Sequence, residues 1–144
     1  MSLLKIARVP PVTIGTSATI RDAVNLMNRD NAGAVIIVED GKALGIFTAR
    51  DCLRRVMSRS LPIETTPLVE VMTSPLTVVK PDTTSDEAMT LMVDHKVHHL
   101  PIVDDDGKPC GIINTRHLLR KMVENLANEL ESLDSYICAD GIGG

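Results

Sequence analysis

The chain has 144 residues, the length of one compact domain or of two small units sharing a core, and is 44% hydrophobic and 24% charged, an ordinary globular composition that excludes disorder. Aromatic residues make up only 1% and the net charge is −4, so the core is aliphatic, and the stacking rings and positive footprint that nucleic-acid binding needs are both missing. The charge is unevenly divided: residues 1–72 carry nine Lys/Arg against seven Asp/Glu, residues 73–144 six against twelve, so the first half offers an anionic ligand the better field.

The first predicted strand is the short extended stretch Val12–Ile14, which follows Pro10 and Pro11. A helix comes next, with Ser17 or Thr19 as N-cap and Ile20, Ala23, Val24 and Met27 on one face. Ala34–Val38 is a continuous apolar run, as expected of a strand buried on both sides. Glu39-Asp40-Gly41-Lys42 is a hairpin turn, Leu44–Thr48 the return strand, and a second helix runs from about Arg50 to Arg59.

The same grammar then recurs. A shift of 65 places Ile14 on Val79, Ala23 on Ala88, Met27 on Met92 and Val38 on Val103. One extra residue, Asp106, enters the second turn, after which a shift of 66 places Gly41 on Gly107, Gly45 on Gly111 and Arg50 on Arg116. A single insertion in a polar turn keeps the whole register, so the chain is a duplication. The second copy predicts a strand at Leu76–Val79 and a helix capped by Thr84 or Ser85, with Ala88, Leu91 and Met92 inward. A hairpin of Leu100–Val103 and Cys110–Asn114 follows, and then a helix from about Arg116.

Residues 8–59 are thus read as the first repeat, 60–74 as a linker, 75–135 as the second repeat with a long terminal helix, and 136–144 as a flexible tail. In the linker, Leu68-Val-Glu-Val-Met72 is too apolar for solvent and is expected to dock as a short helical turn. In the terminal helix Leu118, Leu119, Met122, Leu126, Leu130 and Leu133 recur at steps of three and four. Either it lies back on the body, or it is a dimerisation helix.

Three cysteines, Cys52, Cys110 and Cys138, are odd in number and without CxxC spacing, which fits a reducing compartment. No apolar run reaches the ~18–20 residues of a membrane span, and no secretory h-region opens the chain. The expected location is the cytoplasm, with no membrane partner.

Four motifs stand at this spacing: Val71-Met-Thr-Ser-Pro75, Val97-His-His-Leu-Pro-Ile-Val-Asp104, and the closing Gly45-Ile-Phe-Thr-Ala-Arg-Asp51 and Gly111-Ile-Ile-Asn-Thr-Arg-His117. On these residues the two copies resemble cystathionine-β-synthase (CBS) domains, and together a Bateman module of the stand-alone signal-transduction type. The resemblance covers residues 8 to 125. It implies an α/β (α+β) fold: tandem β-α-β-β-α units intertwined about a pseudo-twofold axis. It further implies two clefts that in relatives hold adenosine-containing ligands (AMP, ADP, ATP or S-adenosylmethionine), and a regulatory rather than enzymatic role toward an effector protein.

The first cleft can also be read from its own residues. Backbone N–H groups are unpaired at the helix start after Thr48 and favour anions. Asp51 in that first turn could accept from both ribose hydroxyls, Thr48 offers a hydroxyl, and Arg50 a bidentate phosphate donor. Helix capping by Thr48 and Asp51 explains the same pair without a ligand. By similarity Thr77, Val97 and His98 approach the adenine side, and Gly33 and Ala34 line the wall. At the matching positions the second copy carries Asn114, Arg116 and His117. Histidine cannot accept from two hydroxyls as a carboxylate does, so this second site is expected to be degenerate, empty or specific for something else.

The histidines at 95, 98, 99 and 117 straddle a helix end and a strand start rather than one helical face, so no metal site is expected. No nucleophile with a base and no Gly-rich phosphate loop is present, so the chain is not expected to be an enzyme, and no cofactor is required. The rival function is a constitutive homodimerisation or interaction domain with an empty cleft.

Overall fold

The computed structural model describes residues 2–137, and side chains within 2–134. The expected tail falls largely outside these residues, as does Cys138.

Strand β1 (Thr13–Gly15) leads to helix α1 (Ile20–Arg29), whose N-cap is Thr19 rather than Ser17. Thr19 Oγ1 accepts the Asp22 N–H at 3.2 Å and Asp22 returns by accepting the Thr19 N–H at 2.9 Å, a reciprocal capping box. β2 (Ala34–Glu39) and β3 (Lys42–Thr48) form the expected hairpin. Asp40 and Gly41 at its tip have φ of 52° and 78°, the left-handed pair of a two-residue hairpin turn. β1 pairs parallel with β2, and β2 antiparallel with β3. α2 (Ala49–Asp51) continues through a π-helical turn, Cys52–Val56, and a 3₁₀ turn, Met57–Arg59.

The second copy gives α3 (Ser85–His95, capped by Thr84), β4 (His99–Val103), β5 (Pro109–Asn114) and α4 (Thr115–Ile137). Its hairpin carries a register shift between Ile102 and Val103, 65 positions from the one between Ile37 and Val38. The duplication therefore extends to irregularities. One expected element is reduced: Leu76–Val79 makes only a single parallel bridge, Val79 to Ile102. In the first copy the Ile36 N–H donates to Val12 O at 2.9 Å. The residue matching Ile36 is Pro101, which has no N–H to give.

Both repeats are completed by chain from outside them. Leu3 is buried among Val79, Ala88, Leu100 and Leu118 of the second core, and Arg8 bridges Ile112 antiparallel. At the symmetry-related place Thr73 bridges Ile46, while Leu68 and Val71 are buried against Ile20, Phe47 and Val56 of the first core. The docked turn expected in the linker is the 3₁₀ turn Leu68–Glu70. β2 is buried on both faces, as its continuous apolar run predicted. Val35 and Ile37 enter the first core, while Ala34 and Ile36 enter a seam with Ile46 and Ile112, where the two copies meet.

α4 settles one open alternative. Leu118 is buried and Met122 packs on the second core, but Leu119, Val123, Leu126, Leu130 and Leu133 are exposed. The helix does not lie back on the body beyond Met122. No helix among the described residues is long and apolar enough to cross a membrane.

Candidate functional site

Two clefts flank the seam. The first, a cavity of about 490 Å³, is lined by Thr48, Arg50, Asp51, Arg54, Arg55 and Thr73 on one side and by Gly33, Lys96, Val97, His98 and His99 on the other. The second, about 700 Å³, is lined at the matching positions by Asn114, Arg116, His117, Arg8, Asn31 and Ala34, with Gly33, His98 and His99 common to both clefts. The helix starts are built alike: Ala49 N–H donates to Gly33 O at 3.0 Å, and Thr115 N–H to His98 O at 2.9 Å.

In the first cleft Thr48 Oγ1 accepts the Asp51 N–H at 3.1 Å, and Asp51 Oδ2 accepts the Thr48 N–H at 3.0 Å. The capping alternative is therefore realised in full. It does not exhaust the carboxylate, which offers about four acceptor directions. The Thr73 hydroxyl stands 3.3 Å from Oδ1, and Arg55 Nε 3.9 Å from it. Arg55 is itself held by Met72 O at 2.8 Å. The Asp51 carboxylate, which lines the cavity, thus keeps acceptor capacity to spare.

Arg50 Nη1 lies 3.0 Å from His98 Nε2. A guanidinium only donates, so in this contact Nε2 is the acceptor. His99 is held below the usual histidine range, by burial first and then by the neighbouring His98, with Asp51 opposing. Gly33 leaves room for this ring: a Cβ there would stand 3.2 Å from His99 Nε2. Arg50, Arg54, Arg55 and Lys96 face one carboxylate in the cavity, so the field favours an anion.

In the second cleft Asn114 Oδ1 accepts the His117 N–H at 2.8 Å. The cap survives while the carboxylate does not, and no Asp or Glu lines this cavity.

Two expected wall residues stand elsewhere. Ala34 lines the second cleft, its place in the first being taken by His99. Thr77 lines neither cleft; Thr73 faces Asp51 instead, because its pairing with Ile46 brings it there. Lys96, Thr73, Arg54 and Arg55 were not singled out as site residues from the sequence, and His99 only among the histidines weighed for a metal. The repeat register holds the signal for some of them, since Gly33-Ala34 aligns with His98-His99 and Arg8 with Thr73. Among the described residues no group of three or more His, Cys, Asp or Glu could hold a metal ion. Cys110 donates to Ile102 O at 3.3 Å, and burial pushes its thiol up, as in a structural cysteine rather than a reactive one.

The sequence model described as "CBS domain" matches twice, over residues 5–58 and 68–124. The chain belongs to the CBS-domain family. Among curated proteins, this CBS pair is 33% identical over 127 residues to the CBS domain-containing protein CBSX3, mitochondrial, of Arabidopsis thaliana, covering 85% of this chain and 61% of that protein. It is 35% identical over 95 residues to the CBS domain-containing protein YhcV of Bacillus subtilis, covering 66% of this chain and 67% of the relative. The chain spans only part of its relatives' length: 61% of CBSX3, and 19% and 62% of two further curated relatives. A solved CBS-domain protein from Burkholderia ambifaria MC40-6 superposes with a TM-score of 0.77 at 28% identity, covering 86% of this chain and 95% of the other. The CBS domain pair of protein MJ0100, solved with 5′-methylthioadenosine and S-adenosyl-L-methionine, shares the fold at TM-score 0.76 and 24% identity, over 87% and 98% of the two chains.

Proposed function

We propose that this CBS pair senses an adenine nucleotide of the AMP, ADP or ATP kind in the first cleft and signals the occupancy to an effector protein in the cytoplasm. The observation that carries it is the Asp51 carboxylate, fixed by Thr48 in the lining of a cavity that four cationic side chains also line. The carboxylate suits a ribose diol, and Arg50, Arg54 and Lys96 suit phosphate oxygens. That charge balance favours phosphorylated nucleotides over S-adenosylmethionine, whose sulfonium adds a positive charge. The ligand spans two copies, so it favours the relative arrangement that holds them together, and a partner reads that arrangement.

Thermal-shift titration with AMP, ADP, ATP and S-adenosylmethionine tests this. A ligand at one hundred times its Kd adds about 2.7 kcal/mol, a rise of roughly 5–11 °C for a chain of this size. Absence of any shift with all three nucleotides rejects the proposal.

The second reading, a homodimerisation module, is favoured by the exposed apolar row on α4. It is compatible with the first, and we take the chain to work as a homodimer. Light scattering of the full chain gives the stoichiometry.

A further inference from the structure

We propose that α4 pairs with α4 of a second copy of this chain as an antiparallel two-stranded coiled coil, Arg120 of each helix facing Asp134 of the other. The proposal deepens the homodimeric reading above and rests on it, and it is independent of any ligand in the clefts.

The apolar row beyond the body is made of Leu119, Val123, Leu126, Leu130 and Leu133, each more than half exposed, from 52% at Leu119 to 64% at Leu130. Its steps are four, three, four and three. That is a mean of 3.5 residues, the period that keeps a seam on one side of a supercoiled pair rather than drifting round the helix. An apolar stripe meant for a globular core is wider. Here the inward face is already spent on Leu118 and Met122, which join the second core. Anchoring at those two residues also holds the helix formed before it meets a partner, which lowers the ordering cost of association.

In heptad terms Leu119, Leu126 and Leu133 are d positions, and Val123 and Leu130 are a positions. The seam is then flanked by Arg120, Ala127 and Asp134 at e and by Glu129 at g. These flanking residues decide the direction. Antiparallel alignment, with Val123 against Leu133 and Leu126 against Leu130 of the second copy, closes the apolar layers from Val123 to Leu133 and sets e against e. Arg120 then meets Asp134 twice by symmetry, and Ala127 meets its own equivalent near the twofold axis. The single unfavourable contact is Glu129 against Glu129. Parallel alignment sets g against the following e, so Glu129 meets Asp134 twice and Arg120 meets only Thr115. Two attractive pairs and one repulsive pair stand against two repulsive pairs and none attractive. Arg120 lies 3.6 Å from Glu124 of its own helix, but both are largely exposed, so this contact is weak and yields readily.

The test uses the full chain in sedimentation velocity from about 1 to about 100 µM, the range in which a micromolar dimer dissociates. The wild type is expected to dimerise and Leu126→Asp to be monomeric, with an unchanged far-UV circular dichroism spectrum because the residue is exposed. Arg120→Asp and Asp134→Arg, each creating two like-charge contacts, are each expected to raise Kd about tenfold, and the combined swap to return it to within about threefold of wild type. A chain that stays monomeric throughout overturns both the homodimeric reading and this interface. A dimer indifferent to Leu126→Asp leaves the homodimer standing and overturns α4 as its contact. A dimer lost in Leu126→Asp but not recovered by the combined charge swap overturns the antiparallel register.

Discussion

Asp51 is asked to do two things, and α1 supplies the control that separates them. Asp22 closes the same capping box on Thr19 that Asp51 closes on Thr48, with N–H to carboxylate distances of 2.9 and 3.0 Å. Asp22 lines neither cleft, whereas Asp51 faces the first. Besides the Thr73 hydroxyl contact that Asp51 alone makes, replacing either by Ala removes one charge-assisted bond to a backbone N–H at a helix start, a loss of about 1 kcal/mol. For a chain of this size that lowers the unliganded Tm by roughly 2–4 °C in each variant. In Asp51→Ala alone, two hydrogen bonds from ribose hydroxyls to a carboxylate also disappear. At about 1.5 kcal/mol each that is about 3 kcal/mol, a hundredfold or greater loss of nucleotide affinity. The assay is isothermal titration with AMP beside thermal melts of the unliganded proteins. Equal affinities in the two variants, or an Asp51→Ala affinity within threefold of wild type, would refute the ribose role and leave Asp51 as a cap.

Three further outcomes follow from the same geometry. Asn114→Thr combined with His117→Asp rebuilds the Thr48/Asp51 pair in the second cleft, and titration should then find about two nucleotides per chain where the wild type binds about one; an unchanged stoichiometry would mean the cleft differs by more than its acceptor. A Cβ at Gly45 would overlap Met72 Sδ and stand 3.1 Å from Thr73 O, so Gly45→Ala is expected to cost about 1–3 kcal/mol in urea unfolding, more than Gly111→Ala, whose nearest neighbours are side chains of Leu4 and Val9. His99 binds its proton less readily in the fold than in the unfolded chain, through burial and His98 just before it in the chain, opposed by Asp51 from α2. Its contribution is therefore complete above a pH of about 6.5 and declines as pH falls through that value; His99→Gln should flatten the fall in urea midpoint between about pH 7.5 and 5.5, and an equal fall in the variant would assign the acid sensitivity to other groups.

Much of this molecule is local and hence legible in one dimension. The capping boxes, the Asp40-Gly41 turn and the two-sided burial of Ala34–Val38 each depend on residues within a few positions of one another. The duplication is legible for a related reason: matching side chains must fill matching packing sites, so the register of Ala23/Ala88 and Met27/Met92 survives in the letters themselves. So does the asymmetry of Thr48/Asp51 against Asn114/His117.

What crosses between copies was decided by packing. Leu3 enters the far core, Thr73 reaches Asp51 through its bridge to Ile46, and His99 rather than Ala34 walls the first cleft. None of these is written in a local pattern, because each depends on which copy a segment crosses to. The loss of a strand at Leu76–Val79 is of the same kind: its own residues favour extension, but the N–H it needs is absent at Pro101, more than twenty positions away. The sequence by itself determined two repeats and one intact acceptor pair. Only the tertiary structure determined that each repeat is finished by the other's leading segment, because burying the apolar residues of those segments requires a core that neither repeat completes alone.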